Sequence, residues 1–207
     1  MRCRLVGSEM CIRDRPRSVH IDLALTGDSA GVACGYVDRF DEIDRGDGYL
    51  ETLPIVDMDF VLEVRAPKGG EIDFEKIRKL IYMLTAQGMN IQWITLDSFQ
   101  SRDMIQILRS KNYTAGLHSL DTSPLGYTIT KTAMLDQRLL VPKHDKCRTE
   151  FVRLERDAAT GKIDHPPNGS KDCSDAVAGV VSVLTMRREV WARHGVLGRQ
   201  PTNLTKE

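Results

Sequence analysis

The order of apolar patterns along the chain is the feature that most constrains its fold. Three segments in which apolar residues recur at every second position come first, at residues 19–26, 32–37 and 58–64. This period of two is typical of strands with one buried face. The acidic, glycine-containing stretch 38–51 predicts an exposed excursion between the second and third strands. The first part of the chain is therefore predicted to form an antiparallel meander.

The rest of the chain predicts helices alternating with strands. Apolar residues follow helical spacing between Asp73, a predicted cap, and Gly88, and an apolar strand pattern at residues 91–96 comes next. A helix at residues 101–111 and a strand at 113–120 follow, then helices at 123–137, 149–157 and 172–194. Helical crossovers make such strands parallel to their neighbours. We predict an α/β fold with a mixed central sheet, three antiparallel strands followed by parallel strands, flanked by helices.

Four aspartates occupy the positions where such a fold places functional carboxylates. Asp22 lies on the less apolar face of the first strand, Asp97 closes the strand at 91–96, and Asp172 and Asp175 open the last helix. Open α/β sheets place ligand groups at the carboxyl ends of their strands. A carboxylate on a central strand is costly to bury unless a cation neutralises it. We predict that Asp22, Asp97 and Asp175, with assistance from Asp172, bind divalent metal.

The amino-acid sequence around these acids resembles that of a known family. The residues concerned are HIDLALTGDSAG at 20–31, TLDSFQS at 95–101, IDHP at 163–166 and GSKDCSDA at 169–176. They resemble the C-terminal nuclease domain of the large terminase subunit of tailed bacteriophages, a member of the RNase H/RuvC-like superfamily. The resemblance extends from about residue 19 to residue 184 and implies an RNase H-like fold. It also favours Asp175 as a ligand and Asp172 as an assisting residue.

Other polar residues near these motifs have weaker claims to a role. His20 shares the strand face of Asp22 and His165 precedes the last acid pair, but isolated histidines are more often structural. Lys171 is either a solvated lysine or a contact to the scissile phosphate.

His144 and Cys147 have no second pair at zinc-binding spacing, so we interpret them as part of a loop. The three arginines near the end of the last helix, Arg187, Arg188 and Arg193, are not aligned on one face and are interpreted as solvated.

Composition limits the remaining possibilities. The 207 residues carry 29 basic and 29 acidic side chains, so no global positive field indicates nucleic acid, although a local basic groove is enough for a nuclease. Five cysteines without a CxxC pair fit a reducing compartment. No apolar run approaches the roughly 18 residues of a membrane span. We expect no membrane partner.

The ends of the chain are predicted to lie outside the folded domain. Residues 1–15 resemble translated sequencing-adapter sequence and are expected to be an artefact, while residues 16–194 form the nuclease domain and 195–207 a flexible tail. The chain contains no Gly-Lys-Ser/Thr phosphate-binding motif. The resembling family carries an ATPase motor in an N-terminal domain, so we expect that this chain is N-terminally truncated and lacks that domain.

The resemblance implies a hydrolase, a divalent-metal-dependent endodeoxyribonuclease. Two Mg²⁺ or Mn²⁺ ions about 4 Å apart would support in-line phosphodiester hydrolysis. The implied task is the cutting of concatemeric viral DNA during genome packaging, in the host cytoplasm. The implied partners are double-stranded DNA and, in the full protein, its own ATPase domain, the portal and the small terminase subunit.

Two alternatives stay open on the sequence alone. Another RNase H-like nuclease, such as a junction resolvase, is compatible with the acidic residues. A non-catalytic module that grips DNA or docks on the portal would use the same acids only as structure. The second alternative predicts that no metal-stimulated cleavage occurs.

Overall fold

The computed structural model describes residues 14–23, 29–97 and 101–201. Most of the leader 1–15, the end of the first predicted strand with the turn around Gly27, residues 98–100 and residues 202–207 lie outside the described residues. No helix in the described part combines the length and apolar character that crossing a membrane requires.

The described elements alternate much as the sequence predicts. The strands are β1 (Arg17–Asp22), β2 (Ser29–Asp44), β3 (Leu50–Arg65), β4 (Ile91–Leu96), β5 (Thr114–Leu117), β6 (Leu139–Leu140), β7 (Glu155–Arg156) and β8 (Ile163–Asp164). The helices are α1 (Phe74–Ala86), α2 (Arg102–Ser110), α3 (Leu125–Leu135), α4 (Asp145–Arg153), α5 (Asp172–Met186) and α6 (Arg188–Arg193), and a short 3₁₀ helix covers Leu197–Arg199.

The central sheet has six strands in the order β5-β4-β1-β2-β3-β6. Strands β1, β2 and β3 pair antiparallel, whereas β4 pairs parallel with β1, β5 with β4 and β6 with β3. Strands β7 and β8 form a separate antiparallel hairpin. The predicted α/β class and mixed sheet are confirmed.

Helices cover both faces of the sheet, and alternate residues of β1 face the two helical layers. Val19 and Ile21 point to one face, where they form an apolar core with residues of α1 and α2. On the other face, Ala33 of β2 and Trp93 of β4 pack against α3 and α5. His20 and Asp22 point to this second side, as alternation along a strand requires. The carboxylate of Asp22 is therefore directed towards α5.

The predicted excursion at residues 38–51 is wrong, because β2 and β3 continue through it as one long hairpin. Paired residues run as far as Asp44 and Leu50, and Gly46 and Gly48 provide the left-handed backbone of the tip. The acidic residues hid this pairing, since both faces of the distal hairpin are partly exposed and the period of two is weak there. Phe40 nevertheless packs on the core, against Trp191.

Two helices also differ from the prediction. Helix α4 begins at Asp145 rather than at residue 149, since the Nδ1 atom of His144 accepts a hydrogen bond from the backbone N–H of Cys147. The predicted helix 172–194 is divided into α5 and α6 at Arg187, whose backbone is extended and whose guanidinium lies over the Trp93 ring. In the predicted tail, the side chain of Gln200 donates a hydrogen bond to the carbonyl of Met186.

Helix α5 lies close to β1 because it has a glycine where the strand has a histidine. A Cβ atom on Gly179 would lie 2.2 Å from the Cγ atom of His20. The His20 ring is fully buried, and its Nδ1 atom is 2.8 Å from the Thr95 hydroxyl of β4. Gly179 thus allows the helix to cover an aromatic ring on the central strand.

We expect Gly179→Ala to destabilise the fold. Replacing glycine with alanine inside a helix usually stabilises it by about 1 kcal/mol. Here the methyl group has no room, and overpacking of this kind costs about 1–3 kcal/mol. Urea denaturation measures the difference. The matched control is Gly198→Ala, where an added Cβ meets open space; equal stability of the two variants would contradict the close packing.

Candidate metal centre

Asp22 and Asp97 are neighbours because they end adjacent parallel strands. Ile21 of β1 is in register with Leu96 of β4, and the backbone N–H of Asp97 donates a hydrogen bond to the Ile21 carbonyl at 3.3 Å. The carboxyl ends of parallel strands meet at the same edge of a sheet. Two acids that are 75 residues apart in the chain therefore share one edge.

Asp175 reaches the same place from the first turn of α5. Gly31 of β2 lies opposite Asp22, and a Cβ atom on Gly31 would lie 1.8 Å from the Asp172 carbonyl oxygen. The absence of that Cβ lets the start of the helix rest directly on the sheet. One carboxylate oxygen from each of Asp22, Asp97 and Asp175 lies within 4.8 Å of the others. We call these three residues the acidic cluster.

Burial and like charge make this cluster unfavourable without a cation. Burial raises the pKa of the Asp22 carboxyl, and the Asp175 and Asp97 carboxylates raise it further. Burial also raises the pKa of Asp175, although Lys171 and Tyr127 partly oppose the increase. Both shifts mean that the charged carboxylates are poorly compensated by the protein. A bound cation would remove that penalty.

The cluster does not include the fourth predicted acid. The Asp172 carboxylate accepts a hydrogen bond from the Ser29 hydroxyl, and its Oδ2 atom is 3.2 Å from the Lys146 ammonium. Asp172 is still close enough to the cluster to raise the pKa of Asp22. The structure therefore places Asp172 beside the cluster, paired with a lysine.

Lys146 of α4 is the centre of a charged network that the sequence did not reveal. Its ammonium lies 2.6 Å from Glu63 Oε1, 3.5 Å from Glu150 Oε1 and 2.6 Å from the Ser29 hydroxyl. Glu150 is itself buried and accepts a hydrogen bond from the backbone N–H of Ser174 at 2.8 Å. A carboxylate from α4 thus caps the start of α5, whose own N-cap residue makes no such bond.

The sequence held only a partial signal for these supporting residues. Lys146 and Glu150 are four residues apart, which is the spacing of an ion pair on a helix, but the helix was predicted to begin after Lys146. No pattern in the sequence indicated Tyr127 as a site residue, although its hydroxyl donates a hydrogen bond to Asp175 Oδ1. Lys171, a predicted candidate, lies 3.2 Å from Asp175 Oδ2 and 2.7 Å from Asp121 Oδ1.

The two candidate histidines lie in different surroundings. His20 is buried, and its burial lowers the pKa of the imidazole to about 3, with a smaller contribution from His118. His20 is therefore a neutral residue that links β1 to β4. His165 is exposed, and its Nδ1 atom lies 2.9 Å from the Pro166 carbonyl oxygen. Neither belongs to the set of carboxylates that could hold one ion.

The donor set of the acidic cluster suits Mg²⁺ or Mn²⁺. Three carboxylates supply hard oxygen ligands, which these ions prefer, and two of the three side chains are partly exposed, so water and substrate oxygens can complete the coordination. Asp22, Asp97 and Asp175 are the residues that would hold the metal.

No protein-family model matches the chain, and no curated protein matches it. Solved structures do match. The large terminase nuclease from thermophilic phage G20c is 11% identical, with a TM-score of 0.56 and 82% of each chain covered. The same nuclease with bound magnesium is 13% identical, with a TM-score of 0.54 and 82% of each chain covered.

The HK97 bacteriophage large terminase also matches, with 14% identity and a TM-score of 0.54. The match covers 81% of this chain but 39% of that one, so the chain spans about two fifths of that terminase. At identities this low, the structural matches establish the fold and nothing more specific. The chain has the RNase H-like fold of large terminase nuclease domains, and the prediction of this fold from the sequence motifs is confirmed.

The raised pKa of Asp22 predicts a specific dependence of stability on pH. Because the folded chain binds this proton more tightly than the unfolded chain, the free energy of unfolding falls as pH rises from the ordinary carboxyl pKa, about 4, through the folded pKa, about 8. In EDTA, we expect wild type to lose about 1 kcal/mol more than Asp22→Asn between pH 7 and pH 9. Urea denaturation at both pH values checks this. Parallel losses in the two proteins would contradict it.

The network around Lys146 predicts a second effect on stability. Lys146→Met removes the cation beside Asp172 and Glu150 and leaves Glu63 paired, among the described residues, only with the exposed Arg65, and we expect a loss of about 2 kcal/mol, less than for a fully buried pair because the lysine is a quarter exposed. The control is Lys79→Met, which breaks the exposed pair with Glu75 and costs under about 1 kcal/mol. Similar melting temperatures for the two variants would contradict a supporting role for Lys146.

Proposed function

We propose that this chain is the nuclease part of a phage large terminase, a divalent-metal-dependent endonuclease that cuts concatemeric viral DNA during genome packaging. The observation that carries the proposal is the acidic cluster, which lies at the carboxyl edge of a sheet with the terminase nuclease fold. The magnesium-bound G20c nuclease, a protein of the same fold, supports the choice of metal.

The acids of the cluster would hold two Mg²⁺ or Mn²⁺ ions. When bound, such ions supply a water of lowered pKa and neutralise charge on the attacking and leaving oxygens. The backbone pairing of β1 and β4 places the backbones of Asp22 and Asp97 side by side. The sheet edge thus provides one half of the site.

Helix α5 provides the other half. Asp175 approaches from its first turn, and the helix N-terminus favours negative charge there. Asp172 is held by Lys146 and Ser29, so its proposed role is an assisting one beside the ligands. Lys171 is paired with Asp175 and Asp121, and we assign it to orienting the ligand Asp175.

The nuclease accounts for the cluster better than a purely structural role does. A module that only grips DNA gains nothing from three carboxylates within 4.8 Å of one another, since DNA is itself anionic. Structural acids are also usually paired with cations, as Asp136 is with Arg45, whereas among the described residues Asp175, paired with Lys171, is the one acid of the cluster that has an ion-pair partner. The proposed partners are double-stranded DNA and, as parts of the packaging machinery, an ATPase domain, the portal and the small terminase subunit; the proposed location is the host cytoplasm.

We expect the purified chain to nick supercoiled plasmid in Mn²⁺ or Mg²⁺ and to be inactive in EDTA. Asp97→Asn removes a ligand, and we expect its activity to fall by more than about 100-fold. Gel analysis of plasmid forms measures the loss. The control is Asp57→Asn, whose carboxylate accepts a hydrogen bond from Tyr36 outside the acidic cluster.

The same assay separates the alternatives. If wild type and Asp97→Asn bind DNA but are equally inert, a non-catalytic gripping or docking module, or a nuclease that requires its ATPase domain, replaces the proposal that this chain cleaves DNA by itself. A strong preference for four-way junctions over plasmid and linear duplex would identify a junction resolvase instead.

A further inference from the structure

We propose that Tyr127 is a positioning residue, which fixes the rotation of the Asp175 carboxylate so that its free lone pairs face the metal. This inference rests on the proposed function, since it concerns the same metal site. Tyr127 belongs to α3, a helix that contributes none of the acids. Its contribution would be to the geometry of a ligand on another helix.

The contact is direct and involves one atom of the ligand. The Tyr127 hydroxyl donates a hydrogen bond to Asp175 Oδ1 and lies 3.4 Å from the Ser174 hydroxyl. The other oxygen, Asp175 Oδ2, lies 3.2 Å from the Lys171 ammonium. Each oxygen of this carboxylate is therefore held by a separate donor, from a separate direction.

Two donors leave lone pairs free for a metal. A carboxylate offers about four acceptor positions, and these two contacts occupy about two of them. Rotation about the Cβ–Cγ bond of Asp175 would break both contacts. The tyrosine and the lysine thus select one orientation of the carboxylate among those that the side chain could adopt.

The chemistry of the two donors differs in a way that suits a metal site. The Tyr127 hydroxyl is neutral, as a tyrosine ordinarily is at neutral pH, so it acts as a proton donor. It can orient the ligand without adding positive charge next to the cation. The charge of Lys171 is shared with Asp121 at 2.7 Å, which reduces its repulsion of the metal.

The tyrosine is held rigidly enough to perform this task. Its ring is buried and packs with Leu120 and with Ala178 of α5. A Cβ on the preceding residue, Gly126, would lie 2.4 Å from Leu120 Cδ2, so Leu120 packs closely on this turn of α3. Packing against Leu120 and Ala178 therefore holds the ring, and the ring positions the hydroxyl.

Tyr127→Phe tests the inference, because it keeps the ring and removes only the hydroxyl. We expect its affinity for Mn²⁺ to be about 10-fold weaker, as is typical when a residue that orients a metal ligand is lost. We expect plasmid nicking to need about 10-fold more Mn²⁺ and to recover largely at saturating metal. Electron paramagnetic resonance of Mn²⁺ in the full chain measures binding without reference to activity.

The matched control is Tyr36→Phe. The Tyr36 hydroxyl also donates to an aspartate, Asp57 at 3.1 Å, but it lies opposite Arg17, at the other end of β1 from Asp22. We expect Mn²⁺ affinity in this variant to equal that of wild type.

The outcomes separate the inference from the proposed function. Equal Mn²⁺ affinity in wild type and Tyr127→Phe would overturn the inference, even if the variant were less stable or wild type cleaved DNA. Weaker affinity in Tyr127→Phe alone would support it, even if wild type proved unable to cleave. Wild type that binds no Mn²⁺ at millimolar concentration would overturn both.

Discussion

The acidic cluster depends on how closely helix α5 approaches strands β1 and β2. Two glycines on opposite sides of this contact permit the approach: Gly31 of β2 lies under the first turn of the helix, and Gly179 of α5 lies over His20. A side chain at either position would separate helix from sheet. Asp175 would then move away from Asp22 and Asp97, which are fixed to the sheet. The distance between ligands is thus set by backbone packing.

Gathering carboxylates in one place has an electrostatic cost that the surrounding helices reduce. Lys146 supplies a cation to Asp172, Glu63 and Glu150, and Glu150 in turn caps α5. Tyr127 and Lys171 hold the carboxylate of Asp175. The compensation within the cluster remains incomplete, as the raised pKa of Asp22 indicates. A site in which the protein leaves this charge uncompensated is suited to a divalent cation.

The sequence predicted best where one physical signal dominated. The buried strand β4 and the capped helix α1 were predicted almost to the residue, since their apolar periods are strong. The distal hairpin of β2 and β3 was missed because solvent on both faces weakens the period of two. The division between α5 and α6 was missed because it depends on distant contacts, between Arg187 and Trp93 and between Trp191 and Phe40.

Hydrophobic periodicity in the sequence predicts strands β1 to β5 and their order along the chain, and with it the edge of the sheet at which Asp22 and Asp97 end. Hydrophobic periodicity is a local property and the crossover rule a topological one, so both can be applied to the amino-acid sequence without a structure. Two contacts follow instead from packing in three dimensions: Asp172 pairs with Lys146 rather than joining the cluster, and Tyr127 contacts Asp175. These contacts arise from the packing of α3 and α4 against α5. Packing of that kind depends on side-chain shape and on glycine positions across the whole domain, which no local pattern records.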